Sequence, residues 1–184
     1  MSGPVVAVPL IEAGAGVPDS PRAFEFLAVD MWTAARLNRA WHSMLPRTDV
    51  GNLLCGNTSA AFAAEYENRY FAVAIFSQPI SRHLCDGKTI ELRRLAICDV
   101  CPKNTATRML SKCLKLVKAK YPQMVRCVSY QAVDVHAGTI YKAGNWKPVG
   151  AVSEARPQRL PGGKQRATGP LQTTSRKQRW EIEL

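Results

Sequence analysis

Five residues able to hold or move a proton crowd into a short stretch: Ser129, Tyr130, Asp134, His136 and Tyr141. A hydroxyl, a carboxylate, an imidazole and two phenols at one place can carry out general acid–base chemistry. The preceding residues, Met124–Tyr130, read as a strand, and Asp134–Ala143 as a short helix. The cluster therefore falls at the carboxyl end of a strand, where open α/β sheets bind ligands. A plain structural role competes at each position. Tyr130 and Tyr141 suit a core, and Asp134 suits a helix cap. His42 is a further candidate, at the end of an expected helix from Met31 to about Ser43 with Asp30 as its cap. A histidine there also serves simply to complement the helix dipole.

A second kind of chemistry is suggested upstream. Glu91–Ile97 reads as a strand, and Met109, Leu110, Cys113, Leu114 and Val117 form one apolar face of a helix over Arg108–Lys120. Tyr121-Pro122 stops that helix. Its start, Lys103-Asn104-Thr105-Ala106-Thr107, has no carboxylate. Free backbone N–H groups and a lysine at a helix start suit a phosphate-bearing ligand, although an ordinary capped surface helix has the same composition. Arg93 and Arg94 lie in the strand before it, and alternation predicts that they face opposite sides of the sheet. Cys98 and Cys101 make a C-x-x-C pair, better read as packing thiols than as a redox or zinc site, because the other ligands of a zinc site are missing.

The remaining elements must position these groups. Ala23–Val29, Ser59–Glu65, Tyr70–Ser77 and Arg179–Leu184 read as strands, with Tyr70–Ser77 apolar enough to be central. The expected fold is α/β, a mixed sheet of about six or seven strands flanked by helices. Residues 1–22 read as a flexible arm and 23–184 as one domain, with a mobile basic loop at about 154–175. The formal charge is +11. Seven Lys or Arg and no acid lie between Val100 and Val133, and the same holds between Ala155 and Trp180. A polyanion is the partner this charge implies, nucleic acid first. Nothing approaches a membrane span, and the amino-terminal segment is a poor signal peptide, so the expected location is the cytoplasm with reduced cysteines.

The order strand, phosphate-type loop, helix, strand and helix bearing Tyr141 resembles the acyl-CoA-binding core of the N-acetyltransferase (GNAT) fold. Glu91–Ile97, Lys103-Asn104-Thr105, Arg108–Ser111, Val128-Ser129-Tyr130, Gly138–Ala143 and Asn145-Trp146 more closely resemble the Mom family of phage DNA adenine-modification proteins, over about Phe24 to Gly150. The chain departs from that pattern in having His42-Ser43-Met44 without a tyrosine, and from the GNAT pattern in having no glycine in Lys103–Thr107.

The resemblance implies a GNAT-like fold and a catalytic set of His42, Ser129, Tyr130, Asp134 and Tyr141, with Tyr141 protonating the departing CoA thiolate. It implies acetyl-CoA held by Leu95, Ala96, Ile97, Lys103, Asn104, Thr105, Thr107 and Arg108. The family's link to iron makes His42, Asp134 and His136 a candidate metal set. Double-stranded DNA would be held by Lys112, Lys115, Arg156, Arg159, Lys164 and Arg166, with Tyr130 and Trp146 as candidates to stack on a base. The implied activity is conversion of adenine in DNA to an N6-carbamoylmethyl adenine, shielding phage DNA from restriction in the infected bacterial cytoplasm. A conventional N-acetyltransferase of a small amine or protein, and a non-catalytic nucleic-acid-binding protein, are the alternatives.

Overall fold

The computed structural model describes residues 16–42, 58–153 and 176–184. Seven strands form one sheet in the order β1-β2-β3-β4-β5-β7-β6. They are β1 (Glu25–Ala28), β2 (Ser59–Tyr66), β3 (Arg69–Ser77), β4 (Thr89–Ile97), β5 (Arg126–Ala132), β6 (Lys147–Ser153) and β7 (Lys177–Glu183). Every neighbouring pair is antiparallel except β4 and β5. The helices are α1 (Met31–Trp41), α2 (Thr105–Lys120) and α3 (Thr139–Ala143).

The central position of β3 follows from its side chains. Phe71 through Ser77 are all buried, as an apolar run covered on both faces must be. Glu67 and Asn68, at φ 49° and 61°, make a tight hairpin from β2 to β3, a turn whose twist matches the strands. On one face, Phe62, Phe71, Phe76 and Ile90 pack against Met109, Leu110, Cys113 and Val117 of α2. The apolar stripe read from the sequence is therefore the buried face. On the other face, Ala34 and Leu37 of α1 meet Ala61, Ala63, Val73, Ile75 and Ala96. Asp30 starts α1 by accepting a hydrogen bond from Thr33 N at 2.9 Å, the cap its sequence predicts.

Two irregularities in β4 shape the site. The first is a bulge. Ile75 of β3 pairs with Arg94, but the next residue, Phe76, pairs with Leu92, so Arg93 is an extra residue. Leu92 and Leu95 consequently both pack on the α2 side, while Ala96 joins the α1 side. The expectation that Arg93 and Arg94 point to opposite faces is thus corrected. The bulge resets the alternation, and both arginines belong to the α1 face, where Arg93 Nε lies 3.6 Å from Glu91 Oε1.

The second irregularity is a split. The parallel ladder between β4 and β5 runs only from Thr89↔Arg126 to Leu92↔Ser129. Beyond it β4 continues on β3 as far as Ile97↔Ala72, and β5 continues on β7 as far as Ala132↔Lys177. The sheet opens there into a V whose apex is Leu92 and Ser129. A bulge bends the strand that carries it, which accounts for the separation starting one residue past Leu92.

Several boundaries differ from the sequence reading. Thr139 begins α3, whereas a helix from Asp134 was expected. Gly138 at φ 70° is left-handed and interrupts any earlier helix. Lys147–Ser153 forms a strand that the sequence reading does not include. Within the expected amino-terminal arm, Val17 packs against the α2-side core. The rest of that arm, residues 1–15, and the basic loop with Arg156, Arg159, Lys164 and Arg166 lie outside the described residues. Among the described residues no helix is long and apolar enough to cross a membrane.

Candidate active site

The apex of the V carries a buried hydroxyl chain. Ser129 Oγ lies 3.3 Å from Leu92 O, bridging the last rung between β4 and β5. Tyr141 Oη lies 2.9 Å from Ser129 Oγ. With Ser129 donating to the carbonyl, the phenol donates to the serine. Tyr141 is 8% exposed, and burial pushes its pKa up, so the group is a proton donor rather than a base.

The surroundings fix this phenol. Its ring stacks on Trp180 with centroids 5.3 Å apart and meets the edge of Trp146 at 5.5 Å. Trp180 Nε1 donates to Gln131 Oε1 at 2.7 Å, and Gln131 Nε2 donates to His136 O. Gln131 thereby ties β7 to the turn that launches α3. A Cβ on Gly138 would lie 2.6 Å from Gln131 Oε1 and 3.0 Å from the Trp180 ring, so only glycine fits. Sequence reading missed Gln131, Gly138 and Trp180 as supports of the site. Trp146, a candidate either to stack on a base or to serve the core, is a core partner of Tyr141 and 4% exposed.

Tyr130 alternates with Ser129 and so lies on the α1 face, 38% exposed. Burial and the nearby Glu91 raise its pKa. His42 reaches the same face from the end of α1, where its backbone N–H bonds Asn38 O at 2.9 Å. Burial, then the charges of Arg94 and His136, pull its pKa down to about 4. Its imidazole is neutral near pH 7 and able to accept a proton. The expected catalytic residues thus divide. Ser129 and Tyr141 are in contact on the α2 side of the split, while His42 and Tyr130 lie on the α1 side.

Asp134 has a different occupation. Its Oδ2 accepts from Arg176 N at 2.9 Å, and its Oδ1 accepts from Arg176 Nε at 3.1 Å and Nη2 at 2.9 Å. The guanidinium and these bonds lower its pKa, and the pair pins the start of β7. The expected metal set of His42, Asp134 and His136 is corrected accordingly. No group of three or more His, Cys, Asp or Glu placed to hold a metal occurs among the described residues, and both oxygens of Asp134 are already engaged.

On the α2 side, a cleft of about 440 Å³ is lined by Arg22, Asn104, Thr107, Arg108, Ser111 and Asn145, among others. Asn104, at φ 70°, precedes α2 without capping it through its side chain, and the first turn has no acid. The Arg108 Nε is buried with no hydrogen-bond partner, the kind of orphan a ligand can satisfy. Lys103 is exposed at the same helix start. Thr105 departs from expectation. It is buried, and its Oγ1 donates to Pro102 O at 2.7 Å, which uses the hydroxyl to hold the turn. Leu95, Ala96 and Ile97 form the β4 wall of the split past its apex.

Lys112, a candidate DNA contact, lines the 440 Å³ cleft, and Lys115 lines an adjacent apolar cavity of about 600 Å³ with Leu114, Trp146 and Ile182. Both are therefore on the face opposite His42 and Tyr130. Arg22 and Asn145 were missed, because neither belongs to a helix-start pattern. The Cys98/Cys101 pair behaves as packing thiols. Cys101 Sγ lies 3.3 Å from Phe71 O, and burial pushes its pKa up to about 12.

A family model, that of the Mom protein family, matches residues 69–182, more than half the chain. The chain belongs to the Mom protein family. The match covers β3 to β7, so it starts later and ends later than the resemblance legible in the sequence. No curated protein matches this Mom-family chain. Among solved structures it is similar in fold to an IAA acetyltransferase from Bacillus cereus, at 11% identity and TM-score 0.56 over 88% of this chain and 99% of that one. It is also similar to a spermidine N-acetyltransferase from Vibrio cholerae in complex with CoA and spermine, at 13% identity and TM-score 0.58 over 88% and 96%. A GNAT-family acetyltransferase from Streptococcus pneumoniae shows 10% identity and TM-score 0.58 over 88% and 99%. The fold of this Mom-family chain is therefore that of the GNAT acetyltransferases, as the sequence resemblance implies.

Proposed function

We propose that this chain is a GNAT-like transferase that converts adenine in DNA to an N6-carbamoylmethyl adenine, using an acyl-CoA donor and so protecting phage DNA from restriction. The observation that carries the reading is the split sheet with Tyr141 and Ser129 at its apex, in a chain of the Mom family.

The residues present fit an acyl-CoA. Arg108 with its orphan Nε, Asn104, Thr107 and Lys112 would hold the phosphates at the start of α2. The peptide groups of Leu95–Ile97, unpaired by β5, would hold an amide-bearing arm in the split. Bound there, the acyl-CoA would supply the two carbons of the adduct with its thiol as leaving group, the carbamoyl nitrogen would come from an ammonia-level donor, and the bond from N6 to the methylene carbon would form with loss of two electrons to an oxidant. Tyr141, kept protonated by its burial, would donate a proton to the leaving thiolate. Ser129 positions that phenol. His42, neutral and on the acceptor side, takes a proton from the adenine amine. Tyr130, partly exposed beside it, offers a face on which the base can stack. An amine already paired in a duplex must be exposed first, which implies base flipping.

Nucleoside mass spectrometry of DNA from cells expressing the protein tests this reading. A new adenine species with the mass of a carbamoylmethyl adduct, lost in the Tyr141→Phe variant, is the expected result. Unmodified DNA together with acetylation of an added polyamine would replace the reading with a conventional N-acetyltransferase.

A further inference from the structure

The α1 face of the split carries charges that do not balance. Glu91 Oε1 lies 3.6 Å from Arg93 Nε, and its Oε2 accepts from Ile80 N at 3.1 Å. Glu181 Oε1 lies 3.0 Å from Arg179 Nε. Asp134 is bound by Arg176. With those three carboxylates engaged, Arg94 and Lys177 have no ion-pair partner within 4 Å among the described residues.

Both cations are partly desolvated. Arg94 Nη1 donates to Arg93 O at 2.6 Å, but its Nε is buried without a partner. Burial and Arg93 lower its pKa to about 10, which leaves it charged. Burial and then Arg94 lower the pKa of Lys177 against the opposing pull of Asp134, whose carboxylate is already bonded to Arg176. Arg94 is on β4 and Lys177 on β7, with β5 between them. His42 adjoins Arg94. Two cations at a partly buried rim without a contact ion pair, on which Glu91 and Asp134 act only at longer range, gain from an anion that completes them, and a guanidinium with an ammonium suits a tetrahedral oxyanion.

We infer that Arg94 and Lys177 form a phosphate site on the acceptor side of the split. The inference rests on the proposed function in one respect, that the phosphate belongs to the nucleic-acid backbone next to the reacting base. The base would enter the split beside His42 and Tyr130 while its phosphate stays at the rim. DNA would then approach from the α1 face, opposite Lys112 and Lys115.

The test measures binding of a labelled DNA oligonucleotide across a salt series, for the full chain and for Arg94→Gln, Lys177→Gln and Arg94→Lys. Each glutamine variant should weaken binding at least about fivefold and flatten the slope of log affinity against log salt by about 0.9, the value of one phosphate contact. Arg94→Lys should recover part of the slope. Acetyl-CoA affinity should not change. Lys177 is half-exposed, so Lys177→Gln keeps the test sound if Arg94→Gln fails to fold. Unchanged affinity and slope in both glutamine variants would overturn the site, whether or not the DNA becomes modified. Inorganic phosphate that stabilises the wild type but neither glutamine variant, with no DNA binding, would keep the site and instead remove nucleic acid as its source.

Discussion

Replacing Tyr141 by phenylalanine separates the chemical role of its hydroxyl from the structural role of its ring. The ring keeps its stack on Trp180 and its edge contact with Trp146, so the buried apolar area is nearly unchanged. What is lost is the 2.9 Å bond to Ser129. Ser129 keeps Leu92 O as its acceptor, so the net cost is that of one hydrogen bond, about 0.5–1.5 kcal/mol. For a chain of 184 residues this is a melting shift of only about 2–5 °C. Losing a positioned proton donor costs far more, about 10²–10⁴-fold in turnover. The paired measurement is a thermal melt and a rate of appearance of the modified nucleoside, or of free CoA. Ser129→Ala should melt similarly but retain more activity, because the phenol is still present. Full activity in Tyr141→Phe would refute the assignment of Tyr141 as the acid. So would a melting shift beyond about 10 °C, since activity would then be lost through unfolding.

Other expectations follow from the same geometry. Gly138→Ala should destabilise by about 2–3 kcal/mol, combining a left-handed backbone penalty with the 2.6 Å approach to Gln131, and denaturant unfolding reads it directly. Arg108→Gln should weaken acetyl-CoA binding by about tenfold with little change in melting, measured by calorimetry; unaltered affinity would remove Arg108 from the donor site. His42 has a folded pKa of about 4 against an ordinary 6.5, so the unfolded chain binds the extra proton between those values. Its contribution to stability is complete above about pH 6.5 and is lost as pH falls through 4. Unfolding free energies at pH 5 and pH 7.5 should therefore differ less in His42→Gln than in the wild type.

The fold was legible wherever a pattern is local. Helical spacing marked the buried face of α2, a long apolar run marked β3, and Asp30 marked the start of α1. Tyr141 was legible as a candidate too, because it stands in a motif that resembles the family's. The features that stayed illegible depend on partners distant in sequence. The facing of Arg93 and Arg94 follows from one inserted residue against β3, which composition does not reveal. Asp134 resembles a catalytic carboxylate until β7 returns with Arg176 more than forty positions later. Lys112 is basic on a basic helix, and only the fold shows that it lines the cleft at the helix start. Trp180 and Gln131 carry no motif; their role comes from β7 pairing with β5, which brings them around Gly138.

Past its apex, the split leaves two interior rows of peptide groups without strand partners, one on β4 and one on β5. Open rows of this kind ordinarily recruit any extended polypeptide that reaches them. Here the rows flank the split, with α2 packed on one face of the sheet and the arginines of the β4 bulge on the other. A narrow chain punctuated by amides suits such a seam, because it can bond peptide groups along its length. An occupant of that shape would complete the sheet as an eighth strand.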